Sequence, residues 1–189
     1  MSTKTKKDKL KELIVYVSAK CADDKTYGIT KLNKIIFFAD FFHYLNKGES
    51  ISGQNYVHLD HGPVPEDMKS IRGEMDKRDI ALAVCQSGPF EQKRVVALRE
   101  ADLSSFKPEM VSTLDAVIKQ VSEENHLRAK WLSDLTHEFI GWRVTETLEL
   151  IPYETFFLKS KRDQKVTERE RNKALEIAKK LSGRYGFLN

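Results

Sequence analysis

The run Ile35-Ile36-Phe37-Phe38-Ala39-Asp40-Phe41-Phe42 constrains this chain more than any other segment. It sits in a helical window, Thr30 to Lys47, with apolar residues on nearly every side. A helix of that kind has to be enclosed by other elements, so it is expected at the centre of the core. The apolar stretch to Leu45 falls short of the ~18 residues that span a bilayer, and it contains Asp40 and His43. Thr30 is the expected N-cap. Gly48 suits the left-handed position past the C-terminus. Asp40, a carboxylate inside an apolar helix, needs a hydrogen-bond partner; His58, His61 or a nearby backbone N–H are the candidates.

The other elements follow from spacing. Leu10, Leu13, Ile14 and Val17 form one stripe and predict a helix over Lys9–Ala19. Tyr56–Leu59 reads as a short strand. In His61-Gly62-Pro63-Val64-Pro65, Gly62 accepts a positive φ and the prolines stiffen their neighbours, so a rigid turn is expected. Pro65 is placed to open the next helix, which runs to about Lys77. Ala81–Gln86 and Arg94–Arg99 predict a hairpin with a loop of about seven residues, longer than usual, with Phe90 at its tip. Further helices are expected from Pro108, over Ala129–Phe139, less clearly over Gly141–Ile151, and after the capping box Thr167-Glu168-Arg169-Glu170, with Ala174, Ile177, Ala178 and Leu181 as its stripe. The class is α+β, mainly α: a compact helical domain with a small antiparallel hairpin or three-stranded sheet, in a winged-helix-like order.

At 189 residues the chain suits one domain, here 1–158, with a basic helical extension, 159–189. The net charge of +4 is uneven. Residues 1–12 carry +3 and residues 159–189 carry +6, leaving the middle at −5. A dedicated nucleic-acid binder concentrates basic charge on a folded face, so only weak, salt-sensitive nucleic-acid contact is expected. The lysine-rich start lacks the apolar core of a secretory signal. Cys21 and Cys85 form no Cys-x-x-Cys pair and fit reduced thiols in a reducing cytoplasm, with no membrane association.

Chemistry-bearing motifs are sparse. Glycine-rich phosphate loops and the Gly-x-Ser-x-Gly elbow are absent from the sequence. Asp40 and His43 on one helix, with His58, Asp60 and His61, are the metal candidates, and their spacing lacks the glutamate of a zincin helix. A structural role for Asp40 is preferred, with no metal, no cofactor and no catalytic residue. His137 is expected to be held by packing against Trp142. Lys31 and Lys34, one turn apart, are expected to lay their stems over the core and keep their ammonium groups in water, with an anion or acidic-partner site as the alternative. Phe90, Arg94 and the cluster Tyr153, Phe156, Phe157 are the candidate anchors for a protein partner. A winged-helix DNA reader would use Lys69, Arg72, Lys93 and Arg94, but Glu66, Asp67, Glu74 and Asp76 oppose them.

Three motifs resemble one family. Lys31-Leu32-Asn33-Lys34-Ile35-Ile36-Phe37-Phe38-Ala39 is similar to the Lys-Leu-x-Lys-Leu-Leu-Tyr-x-Ala segment of the Panacea domain, the SocA-like antitoxin domain. His61-Gly62-Pro63-Val64 matches its Gly-Pro-Val turn, and Leu132 to His137 followed by Trp142 resembles its Leu-Ser-x-x-x-His segment. Together they cover about residues 28–153. Asn33 stands where Gln is usual, and Phe37-Phe38 where Leu-Tyr is usual. The resemblance implies a non-enzymatic antitoxin that neutralises a cognate toxin protein by direct binding. It marks Lys31, Leu32, Lys34, Gly62, Pro63, Val64, His137 and Trp142 as signature positions, read as core or turn residues. A DNA-binding regulator and a metal-dependent enzyme are the alternatives.

Overall fold

The computed structural model describes residues 4–87, 90–124 and 129–158, together with Glu168, Arg169, Asn172 and Glu176. In chain order the elements are α1 (Lys6–Lys20), α2 (Ile29–Lys47), β1 (Tyr56–Val57), β2 (Val64–Pro65), α3 (Met68–Met75), β3 (Ile80–Ser87), β4 (Phe90–Ala97), α4 (Pro108–Ile118) continuing into a π-helical turn (Lys119–Glu124), α5 (Ala129–His137), α6 (Ile140–Val144), β5 (Leu150–Ile151) and a 3-10 turn (Tyr153–Phe157). The chain is mainly helical with two small antiparallel sheets, β2-β1-β5 and the β3–β4 hairpin. A winged-helix order is not shown. Of the expected tail helix, the four described residues from Glu168 to Glu176 are helical, while Ala174, Ile177, Ala178 and Leu181 lie outside the described residues.

Helix α2 is the centre of the core, as its sequence predicts. The Phe37 ring meets Tyr56, Phe139 and Phe156 edge-on, with centroids 5.3, 5.5 and 5.6 Å away. These rings come from β1, from just before α6 and from the 3-10 turn, so one side chain joins three separate segments. Enclosure is incomplete: Phe42 is 44% exposed. Gly48 ends the helix at φ 74°, as expected. Its start is not capped by Thr30; Gly28 holds the N-cap position and Ile29 is already helical. Helix α1 begins at Lys6, three residues before the expected start at Lys9, because Thr5 and Asp8 form a capping box.

Asp40 faces inward with no exposure. Its Oδ1 accepts the backbone N–H groups of Ile51 and Ser52, both at 2.8 Å. Its Oδ2 accepts the Ser52 hydroxyl and the Tyr56 hydroxyl at 2.8 Å, and the Tyr153 hydroxyl lies 3.3 Å away. Burial pushes this carboxyl above its ordinary range, and the Ser52 and Tyr56 hydrogen bonds work against that shift. Of the expected partners, backbone N–H groups serve and the histidines do not.

Two turns differ from their sequence reading. Pro65 does not open a helix; it pairs with Tyr56 in β2, and the helix starts at Met68 behind the N-cap Asp67. Strand β2 lies at the sheet edge, where a residue without an N–H is tolerated. The hairpin strands run closer together than expected, from Ile80 opposite Ala97 to Ser87 opposite Phe90, so only Gly88 and Pro89 separate them. Polar residues such as Lys93, taken for loop, belong to a two-stranded ribbon with one solvated face. Two arginines tie this ribbon down. Arg94 donates to the carbonyls of Asp24, Cys21 and Ala22, and Arg99 makes a two-pronged contact with Glu12 of α1 at 2.7 and 2.9 Å.

Replacing Asp40 with Ala strands several buried donors around one former acceptor. Urea unfolding should show a loss of about 3 kcal/mol or more; a loss below about 1 kcal/mol would contradict the assigned hydrogen-bond role.

Candidate functional site

The three sequence motifs meet in space. Lys31 and Lys34 sit on α2, the Gly62-Pro63-Val64 turn leads into β2, and Thr136-His137 ends α5 with Trp142 on α6. Gly62 adopts φ 95°, which glycine alone takes without strain. A β-carbon there would also collide with Lys34 Nζ and Thr136 Oγ1. The turn is closed by the Gly62 N–H donating to the Leu59 carbonyl at 2.7 Å, and Trp142 Nε1 donates to the same carbonyl at 3.3 Å. The imidazoles of His137 and His58 both stack on the Trp142 indole, at centroid separations of 3.9 and 4.3 Å. His137 is thus packed against Trp142 as expected. Thr145 donates its hydroxyl proton to the Gly141 carbonyl at 2.8 Å. His58 Nδ1 lies 3.1 Å from the Thr145 hydroxyl oxygen.

The two motif lysines have different fates. Neither snorkels: Lys31 is fully buried and Lys34 is buried to its tip. Lys31 forms an ion pair with Asp24 and donates to Thr26 Oγ1 at 2.8 Å. It pins the α1–α2 connection, the same segment that Arg94 grips. Among the described residues Lys34 has no such partner: its Nζ is buried without a hydrogen bond, and so is His137 Nε2. Burial pulls the Lys34 ammonium down to about 7. Burial, and after it the Lys34 charge, lower His137 below the ordinary imidazole range. Leu32 is fully buried core, and Pro63 is buried in the turn.

A second feature lies on the other side of α5. Helices α2, α4 and α5 enclose an apolar groove of about 620 Å³. Phe38 and Phe42 line it from α2, Ala116 and Val121 from α4 and the π-helical turn, Trp131 and Leu135 from α5. Trp131 is 50% exposed. An apolar groove edged by two half-exposed aromatic rings is unusual on a heavily charged surface. The sequence signal was present but easy to miss: Trp131 sits one residue before the inward stripe of Leu132 and Leu135, and Phe42 was counted with the core.

Most of the expected partner anchors are used inside the fold. Arg94 serves backbone carbonyls, as above. The Tyr153 hydroxyl donates to the Gln54 carbonyl at 2.9 Å, and Phe156 packs on Phe41 at 4.6 Å. Phe157 keeps 49% of its surface exposed beside Tyr44. The Phe90 backbone begins β4, but its side chain lies outside the described residues.

The metal candidates do not converge. Asp40 is taken up by its donors, His43 Nδ1 lies 3.3 Å from Thr113 Oγ1, and His58 stacks on Trp142. His61 is exposed on the turn. Among the described residues, no three His, Cys, Asp or Glu side chains are placed to hold a metal ion. The DNA reading loses Arg94 to the carbonyls, and Arg72 is partly buried. No helix among the described residues is long and apolar enough to cross a membrane.

The fold is a mainly helical domain with small antiparallel sheets, with the three motifs gathered at one corner. The family model for the SocA-like antitoxin, Panacea domain, matches residues 32–143, and the chain belongs to this family. Neither the curated proteins nor the solved structures give a match.

Lys34 sets a pH signature. In the folded chain it titrates near 7, whereas an ordinary lysine titrates at 10.5. Between those values the unfolded chain holds the extra proton, so stability rises with pH. Compared with Lys34→Met, the wild-type chain should gain up to about 1.4 kcal/mol per pH unit from pH ~7 to ~9 in denaturant titrations. Parallel pH profiles for the two proteins would contradict the buried, neutral amine.

Proposed function

We propose that this chain is an antitoxin that neutralises a cognate protein toxin by direct contact, and that the groove between α2, α4 and α5 receives the toxin. Membership of the SocA-like antitoxin family supports a toxin partner. The observation that carries the choice of surface is the apolar groove with Phe42 and Trp131 half exposed at its edges. Tryptophan and other aromatic side chains supply most of the binding energy in protein interfaces, because they bury large area at little entropic cost. Three helices framing a groove suit an apolar ridge of the partner, laid in as a helix. Phe157 is a further candidate anchor of the contact, being the described member of the expected set that keeps half its surface free.

On this reading the action is occlusion, with no bond made or broken by the antitoxin. Co-expression with the product of the adjacent reading frame tests it: that product is expected to arrest growth alone and to be harmless with the antitoxin present. A harmless neighbour, or toxicity that persists in the presence of this chain, removes the reading. Trp131→Ala should weaken neutralisation by about 2 kcal/mol, roughly 30-fold in affinity. Thermal unfolding should be nearly unchanged, because half of the ring is solvated. Full neutralisation by both Trp131→Ala and Phe42→Ala would move the contact away from the groove.

A further inference from the structure

The motif that contributes two lysines to α2 gives a counter-charge to one of them only. Lys31 meets Asp24. Lys34, equally buried, has no carboxylate within ion-pair distance among the described residues, and no hydrogen-bond acceptor. The neighbouring hydroxyl and backbone N–H are already committed elsewhere. Thr136 donates its proton to the Ser133 carbonyl at 2.8 Å. The Gly62 N–H is used within its turn. His137 has its own orphan, Nε2, and the charges acting on it come from Lys34, His58 and His61, with Asp134 opposing them. Asp60 and Glu149 act similarly on His58. Two buried nitrogen atoms, one from α2 and one from the end of α5, are therefore left without a hydrogen bond among the described residues.

Orphaned buried polar groups are costly and native folds rarely keep them. Gly62 makes the arrangement more specific, since its lack of a side chain is what lets the turn rest on the amine. We propose that Lys34 and His137 form a binding site for one oxyanion, of the carboxylate or phosphate class, held beneath the Gly62 turn. Nζ of Lys34 and Nε2–H of His137 are the donors, and an anion satisfies both while offsetting the local charge. A buried water would satisfy the hydrogen bonds but leave the charge, which is the alternative to be tested. Entry requires the Leu59–Pro63 turn to shift, because Gly62 is packed against the amine; Asp60 and His61 of that turn are exposed. The proposal is independent of the toxin contact, which lies in the groove.

The test uses the full chain with labelled lysine and histidine, followed by NMR across pH. Sodium acetate and inorganic phosphate are titrated separately against sodium chloride at equal ionic strength, so that screening is constant. The lysine that titrates near 7 reports the amine. At least one of the two anions is expected to saturate with a half-effect below about 10 mM. It should raise the apparent pKa of that lysine by about one unit or more, a tenfold gain in proton affinity. His137 should shift in parallel, and Lys34→Met should abolish the His137 response. Whichever anion saturates at the lower concentration assigns the carboxylate or the phosphate class. A response no different from chloride for both anions overturns the proposal and assigns the space to water. An undiminished His137 response in a folded Lys34→Met variant also overturns it. Should that variant not fold, the wild-type lysine titration decides alone.

Discussion

The Asp40 carboxylate is the interaction on which the rest of the structure depends. It is fully buried within a helix of apolar residues, a setting in which an unmet negative charge costs several kcal/mol. Its partners come from outside the helix: the backbone at Ile51 and Ser52, the Tyr56 hydroxyl that opens β1, and the Tyr153 hydroxyl of the 3-10 turn. Meeting that one charge therefore positions the segment after α2, the start of the three-stranded sheet and the end of the described domain. The Phe37 ring cluster packs the same segments by area, and Asp40 selects one arrangement of them by direction.

The fold then handles two kinds of unfinished business on opposite flanks of α5. On one flank lies an apolar groove with aromatic edges, which burial alone would have closed had the sequence been optimised for stability. On the other, among the described residues, lies an amine without a counter-charge, near an imidazole whose Nε2 has no hydrogen bond. Both are places where local rules are broken, and such breaks gather at functional positions. The comparison between Lys31 and Lys34 makes the point within a single helical turn. The same side chain is a satisfied clamp in one place and an open donor in the other.

Much of this was legible in the sequence, and the failures have physical causes. The enclosure of α2, the left-handed Gly48 and Gly62, and the packing of His137 on Trp142 follow from residue type and spacing. Thr30 was misread as a cap because Gly28 also accepts the extended N-cap conformation, and the sequence does not say which will. Pro65 suits either the first turn of a helix or an edge strand; the pairing with Tyr56, set by the sheet, decides it. The site was less legible than the fold. Which lysine finds Asp24 depends on how the α1–α2 connection curls back, and whether Arg94 faces a partner or a carbonyl depends on where the ribbon lands. Those are relations between segments distant in sequence, and periodicity carries no information about them. The groove was missed for the same reason, because Phe42 and Trp131 become neighbours only through packing.

The central claim is that this domain acts through a surface between α2, α4 and α5. Hydrogen exchange of the antitoxin, alone and mixed with the purified product of the adjacent reading frame, measures that claim directly. The account predicts slowed exchange in the segments lining the groove, around residues 38–46, 112–121 and 131–135, with the β3–β4 ribbon unchanged. Protection confined to the ribbon, or to the Leu59–Pro63 turn, with the groove segments unaffected, would contradict it.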